Sequence, residues 1–233
     1  MASDRFPKWD YKEYPKTLPP DDLWGQVRRT VYGKPVSEAQ IKMMVDAIVA
    51  GLELKPTSML VDIGCGNAAL TARLFPYCDQ CLGVDFSEYL ISIANARFAS
   101  PRHVFIYQDA LEYVNQEPDP LRFDKVLCFA VFSYLSDASA QQLLGFLNER
   151  FLNVGSVFVG NIPDPERAAS FFKGRDRDDV ELDNPESQIG VWRTRGQLIA
   201  MAEETGWRVQ FQRMPRAFYQ AHYRYNAILE RLV

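Results

Sequence analysis

Five short apolar runs separated mostly by helix-length segments constrain this chain more than any other feature. They are "MLVDI", "QCLGVD", "HVFIYQD", "DKVLCFA" and "GSVFVGNI". Between them, "AALTARLF", "SEYLISIANARF" and "DASAQQLLGFLNERFL" read as helices, with Ser87 and Asp137 as N-caps of the last two. Strands alternating with helices predict parallel βαβ units, and nearly unbroken apolar strands predict cover on both faces. A helix precedes the series. Ser37 and Gln40 have the capping-box spacing, and Ile41, Met44, Val45, Ile48, Val49 and Leu52 follow at helical intervals. After the fifth strand the rhythm breaks into a long connection with a charged middle. Thr194 and Gln197 reopen a helix, which Gly206 ends. "WRVQFQRM" and "HYRYNAILE" then follow too closely for a helix between them, so the last strand is expected to run antiparallel. The fold class is α/β, with a doubly wound, mostly parallel sheet.

The chain has 233 residues, 47% hydrophobic and 24% charged, enough for one domain with a full core. Residues 37–233 carry the pattern. Residues 1–36 form an aromatic N-terminal segment with the position of a lid, and 162–193 an insertion after strand five. No run of about 18 apolar residues offers a membrane span. The N-terminus has no apolar signal core. Cys78 and Cys81 form a C-x-x-C, but no second pair or nearby His completes a zinc set, so no metal is expected. All four cysteines read as reduced thiols of a cytoplasmic protein. The formal net charge of −4 argues against a duplex-coating protein, though it leaves room for a local basic groove.

The first strand runs into a glycine loop, "DIGCGNAA". In an open parallel sheet, ligands bind beyond the carboxyl ends of the strands. Gly64 and Gly66 let the backbone turn sharply and approach a ligand closely, with Cys65 between them. The following helix N-terminus would attract negative groups. This G-x-G-x-x-A pattern suits a dinucleotide and S-adenosylmethionine alike. Asp62 separates them. A carboxylate two residues before the first glycine repels a pyrophosphate and suits an ammonium group. Asp85, ending the second strand, is spaced to accept ribose hydroxyls in either case. Phe86 is placed to stack on adenine. Asp109, ending the third strand, is placed to accept from the adenine amino group, with the neighbouring backbone at Ala110 reading a ring nitrogen.

With these residues, the sequence resembles the class I S-adenosylmethionine-dependent methyltransferases. "VDIGCGNAA" resembles their first motif, "GVDFS" and "YQDAL" their next two acidic strand ends, and "FDKVLCFAVFSYLSD" their fourth-strand segment. The order and spacing cover roughly residues 37–233. Ala68 stands where many members have a third glycine. The resemblance implies a seven-stranded Rossmann-like sheet with a reversed last strand, S-adenosylmethionine as cofactor and S-adenosylhomocysteine as its product. It implies cofactor roles for Asp62, Gly64, Gly66, Asp85 and Asp109. It also places the backbone of Phe129 and Ala130 beside the methionine part. The small-molecule branch with an N-terminal cap is the nearest likeness, and "GNIPD" followed by an insertion strengthens it.

Methyl transfer from a sulfonium is an in-line displacement, so no universal catalytic residue is required. Topology nominates Tyr134 after strand four and Asp164 after strand five. His222, near the final hairpin turn, is the leading general base because its ordinary pKa lies near neutrality. Its competing reading is an exposed histidine at a strand end. Trp24, Tyr32 and Tyr219 are candidates to line the acceptor or to act as a lid. The expected reaction is methylation of an O or N atom of a small molecule, with a homodimer left open. No D/N-P-P-Y/F/W pattern follows strand four, which lowers the nucleic-acid reading. The alternatives are a protein or RNA methyltransferase, an NAD-dependent oxidoreductase, and a noncatalytic partner that keeps the fold.

Overall fold

The structure is a computed structural model and describes residues 11–173 and 181–232. Seven strands form one sheet: β3 (Met59–Ile63), β4 (Gln80–Asp85), β5 (His103–Tyr107), β6 (Lys125–Phe129), β7 (Ser156–Pro163), β8 (Trp207–Gln212) and β9 (Arg224–Arg231). Their order is β5-β4-β3-β6-β7-β9-β8. β9 pairs antiparallel with both β7 and β8, and every other pairing is parallel. A separate two-stranded hairpin, β1 (Thr30–Val31) with β2 (Lys34–Pro35), lies in the N-terminal segment.

Side-chain alternation explains why the strands read as unbroken apolar runs. Val61, Ile63, Val126, Cys128, Val157 and Val159 pack into one hydrophobic cluster. Their neighbours Leu60, Leu127, Phe129 and Phe158 pack into another on the opposite face. Helix Glu38–Leu52 covers the second face through Ile41, Met44, Val45, Ile48 and Leu52, all buried. Each such side chain contributes about 1.5–3 kcal/mol of transfer free energy. Helices Asp137–Arg150 and Arg195–Glu204 cover the first face.

Local contacts revise three expectations about helix caps and one about helix type. Ser37 occupies the N-cap position of helix Glu38–Leu52 without a side-chain cap bond. Gln40 reaches across the fold instead: its Nε2 donates to Ala217 O and its Oε1 accepts from Tyr219 N. Ser87 likewise sits at an N-cap, but its hydroxyl donates to the Tyr11 carbonyl. Ser136 rather than Asp137 caps helix Asp137–Arg150, accepting from Ser139 N. Asp137 pairs with Arg193. The segment after the glycine loop is a 3-10 helix, Thr71–Tyr77, with Pro76 inside it. Proline lacks the N–H an α-helix needs and crowds the carbonyl four residues back. The capping box at Thr194 and Gln197 forms as read.

β7 runs to Pro163, so the insertion's regular strand ends two residues inside the 162–193 span. Part of the charged run from Lys173 to Glu186 lies outside the described residues. No helix among the described residues is long and apolar enough to cross a membrane.

Candidate active site

A cavity of about 360 Å³ opens at the carboxyl ends of β3, β4 and β6. The glycine loop, Asp85, Phe86, Asp109, Ala110, Phe129 and Ala130 line it. Asp62 is the one proposed cofactor residue that does not; it lies buried behind the loop. The loop is folded tightly onto the end of β4. Gly64 N and Cys65 N both donate to Val84 O, at 2.7 and 3.0 Å. Gly64 has φ +76°, and a Cβ there would meet Val131 Cγ2 at 2.1 Å. Only glycine satisfies both conditions.

The three acids differ in their surroundings. Asp85 accepts from Gly66 N (2.9 Å, Oδ2) and from Ser87 N (2.8 Å, Oδ1). Each oxygen keeps a further acceptor site, as a ribose diol needs. Asp62 accepts from Thr71 Oγ1 at 2.5 Å and is influenced by the Arg29 guanidinium. Burial pushes both carboxyls up to about 6, against the pull of these donors. A buried carboxylate held at such a value gains from a cationic ligand. Asp109 caps helix Ala110–Gln116, accepting from Leu111 N and Glu112 N through Oδ1.

Among the described residues, Arg29 is the only basic one lining the cavity. Its guanidinium lies 5.1 Å from the Phe129 ring centre. Desolvation lowers its pKa, while Tyr219, Tyr11 and Asp62 oppose that shift. Arg29 on the wall and Asp62 behind the loop therefore carry opposite charges that act on one another. The α-helix end expected to attract negative groups is replaced by the 3-10 turn.

The N-terminal segment is tied to the loop it covers. Asn67 Nδ2 donates to Leu23 O (2.7 Å) and to Gln26 Oε1 (2.9 Å). Tyr11, Val27 and Arg29 contribute to the cavity wall. The Tyr11 and Tyr134 hydroxyls are 3.4 Å apart, and Tyr134 donates to Gln188 O at 3.2 Å. The strap and the insertion thus meet at Tyr134, which also lines the cavity. Arg193 fixes the segment beside it. This fully buried guanidinium donates to Phe132 O and Leu135 O, both at 2.7 Å, and to Asp137 at 2.9 Å. Asn67, Tyr11 and Arg193 were not selected from the sequence as site residues. "RRT" and the loop asparagine were visible there, but their partners lie tens of residues away.

Other nominated residues fall outside this wall. His222 is exposed and packs against Tyr223, with ring centres 4.8 Å apart. That agrees with its reading as a strand-end histidine. Asp164 is buried beside Arg167 and Arg213 and caps the following turn through Glu166 N. Trp24 packs on the core under the strap, and Tyr32 projects fully into solvent from the β1–β2 turn. Tyr219 packs near Arg29 but is not part of the wall. Hairpin geometry and hydrophobic packing, rather than aromatic character, decide these placements. No group of His, Cys, Asp and Glu among the described residues is arranged to hold a metal ion.

Comparison with known proteins bears on this site. A family described as a methyltransferase domain matches residues 61–157. An uncharacterized methyltransferase of Schizosaccharomyces pombe is 26% identical over 110 residues, which are 44% of this chain and 38% of that protein. A probable ribosomal RNA small subunit methyltransferase A of Methanosarcina mazei is 31% identical over 100 residues, 42% of this chain and 35% of that one. The chain thus spans well under half the length of these relatives. Among solved structures, magnesium protoporphyrin IX methyltransferase from Synechocystis, with bound SAH, superposes with a TM-score of 0.61 at 18% identity. It covers 83% of this chain and 82% of that one, a likeness of fold. Residues 61–157 thus match a methyltransferase domain, and the strand order and the superposition agree with it in fold.

Proposed function

We propose that this chain transfers a methyl group from S-adenosylmethionine to an oxygen or nitrogen atom of a small molecule. The observation that carries the reading is the charge arrangement of the cavity. Among the described residues, Asp85, Asp109 and Glu186 line it, Asp62 lies behind the loop, and Arg29 is the single base. Asp62 and Arg29 would hold the two charges of the methionine tail, and Asp85 the ribose hydroxyls. Asp109 and the backbone at Ala110 would face the adenine, with Phe86 stacked on it. When bound, the cofactor supplies an electrophilic methyl on a sulfonium. The chain's own task is to position the acceptor and exclude water. Tyr11 and Tyr134 close that region and can hold an acceptor heteroatom by hydrogen bonding.

The same acids disfavour a dinucleotide, whose pyrophosphate would face them with one guanidinium for relief. The match to a probable ribosomal RNA methyltransferase keeps an RNA acceptor as the second reading, but it covers only 42% of this chain. Calorimetric titration with S-adenosylhomocysteine, and with NAD in parallel, tests the proposal. Saturable binding of the first alone, lost in Asp85→Ala, supports it. Binding of NAD alone overturns it.

A further inference from the structure

Three arginines lie beyond the carboxyl ends of β7 and β8, away from the cavity wall: Arg167 and Arg213 beside one acid, and Arg195 at the start of the helix that leads into β8. Arg167 Nε and Arg213 Nη2 flank a single oxygen, Oδ2 of Asp164, at 3.8 and 3.6 Å. Both distances are too long for hydrogen bonds. That oxygen is buried and accepts no hydrogen bond. Arg195, opening helix Arg195–Glu204, stands over the rings of Phe211 and Tyr225 at 5.2 and 5.8 Å, with its Nε buried and unpartnered. Its charge, with that of Arg167, reinforces the desolvation that lowers the Arg213 pKa. Among the described residues, two carboxylates, Asp164 and Glu166, act on Arg213 in the opposite direction.

Three guanidinium charges against two acids among the described residues are costly unless something further neutralises them. Guanidinium groups held by ion pairing and ring contacts, with the buried Arg195 Nε–H left over, suit a tetrahedral oxyanion that accepts several N–H groups at once. The placement is informative as well. β9 runs antiparallel to both neighbours, so β7 and β8 point the same way as β3 and β6. The arginines therefore lie at the edge of the sheet that carries the cavity. With strands about 4.8 Å apart, Asp164 is one strand and Arg213 three strands beyond the β6 wall, so roughly 5–15 Å.

We propose that Arg167, Arg195 and Arg213 form a subsite for a phosphate-class oxyanion, placed to hold the charged end of the methyl acceptor. Its role toward the acceptor rests on the methyltransferase reading; anion binding does not. The test is calorimetric titration of the intact protein with inorganic phosphate and with methyl phosphate, at constant ionic strength set by chloride. Saturable binding to the wild type is expected, weakened roughly tenfold in Arg213→Gln and in Arg195→Gln, the size of one lost charge-assisted contact. Both variants should bind S-adenosylhomocysteine as the wild type does, which also shows that they fold. Phosphate and S-adenosylhomocysteine should bind together. Phosphate binding that is absent, unchanged in both variants, or competitive with S-adenosylhomocysteine overturns the subsite. Phosphate binding of the expected kind without S-adenosylhomocysteine binding supports the subsite and removes the methyltransferase reading instead.

Discussion

Ala68 has φ +60°, in the left-handed region where an L side chain carries a steric cost of about 1–2 kcal/mol. The position asks for glycine, and alanine there buries its methyl group in a cluster with Cys65, Ile91, Ala94 and Phe105. Ala68→Gly should therefore raise the unfolding free energy by up to about 1 kcal/mol, the relief of strain exceeding the lost methyl contact. Urea denaturation checks this, and a less stable variant would mean that the buried methyl matters more. Asp62 and Asp85 illustrate what a sequence exposes at this scale. Strand-end position and spacing were enough to select them. Their burial and their shared displacement to about 6 came only with the packed loop. Asp62→Asn should weaken S-adenosylhomocysteine binding at least tenfold above pH 7, because the asparagine carries no charge for the ammonium. Affinity of the wild type should decline as pH falls through 6, and that of Asp62→Asn should decline less. Equal pH profiles would show that another group governs binding.

At the scale of elements, two tethers hold the cavity's cover. Asn67 joins the glycine loop to the strap at Leu23 and Gln26. Asn67→Ala should speed limited proteolysis of the strap and weaken S-adenosylhomocysteine binding a few-fold, with bound ligand restoring protection. Protection equal to the wild type would place the strap's anchorage elsewhere, for example at Ser87 and Tyr11. Arg193 bonds two carbonyls in the segment after β6, and leaving those acceptors bare costs about 1–3 kcal/mol each. Arg193→Ala should destabilise the fold by about 3 kcal/mol, seen as a lower melting temperature in a thermal scan. Neither tether has a local signature, since each joins segments about 40 to 60 residues apart. Helices were legible from periodicity, and most caps were not. Ser37, Ser87 and Asp137 all have capping chemistry, yet tertiary partners claimed Gln40, the Ser87 hydroxyl and Asp137. Only Thr194 with Gln197, which are half-buried and exposed and have no competing partner, formed the box their spacing predicts.

For the whole molecule, the two raised carboxyls make ligand-free stability depend on pH in a definite direction. Their folded values near 6 exceed the ordinary 3.8, so the folded state binds protons more tightly between those limits. Their contribution to stability is therefore fully present below about 3.8 and is lost as pH rises through 6. A ligand with an ammonium group reverses the burden on Asp62. S-adenosylhomocysteine should raise the melting temperature more at pH 7.5 than at pH 5.5, and the ligand-free Asp62→Asn variant should lose less stability over that interval than the wild type. A ligand effect larger at pH 5.5 would contradict the assignment. Sequence alone determined the strand series, the reversed last strand, the faces that each strand buries and the acids at its carboxyl ends. These follow from alternation and spacing along the chain, which are local quantities. Tertiary structure decided that a 3-10 turn follows the glycine loop, that Arg29 acts on Asp62, that Tyr134 joins strap to insertion, and that His222 and Tyr32 are exposed. Such outcomes depend on which distant groups compete for the same hydrogen bond or buried volume, and that competition is settled only when the sheet has brought them together.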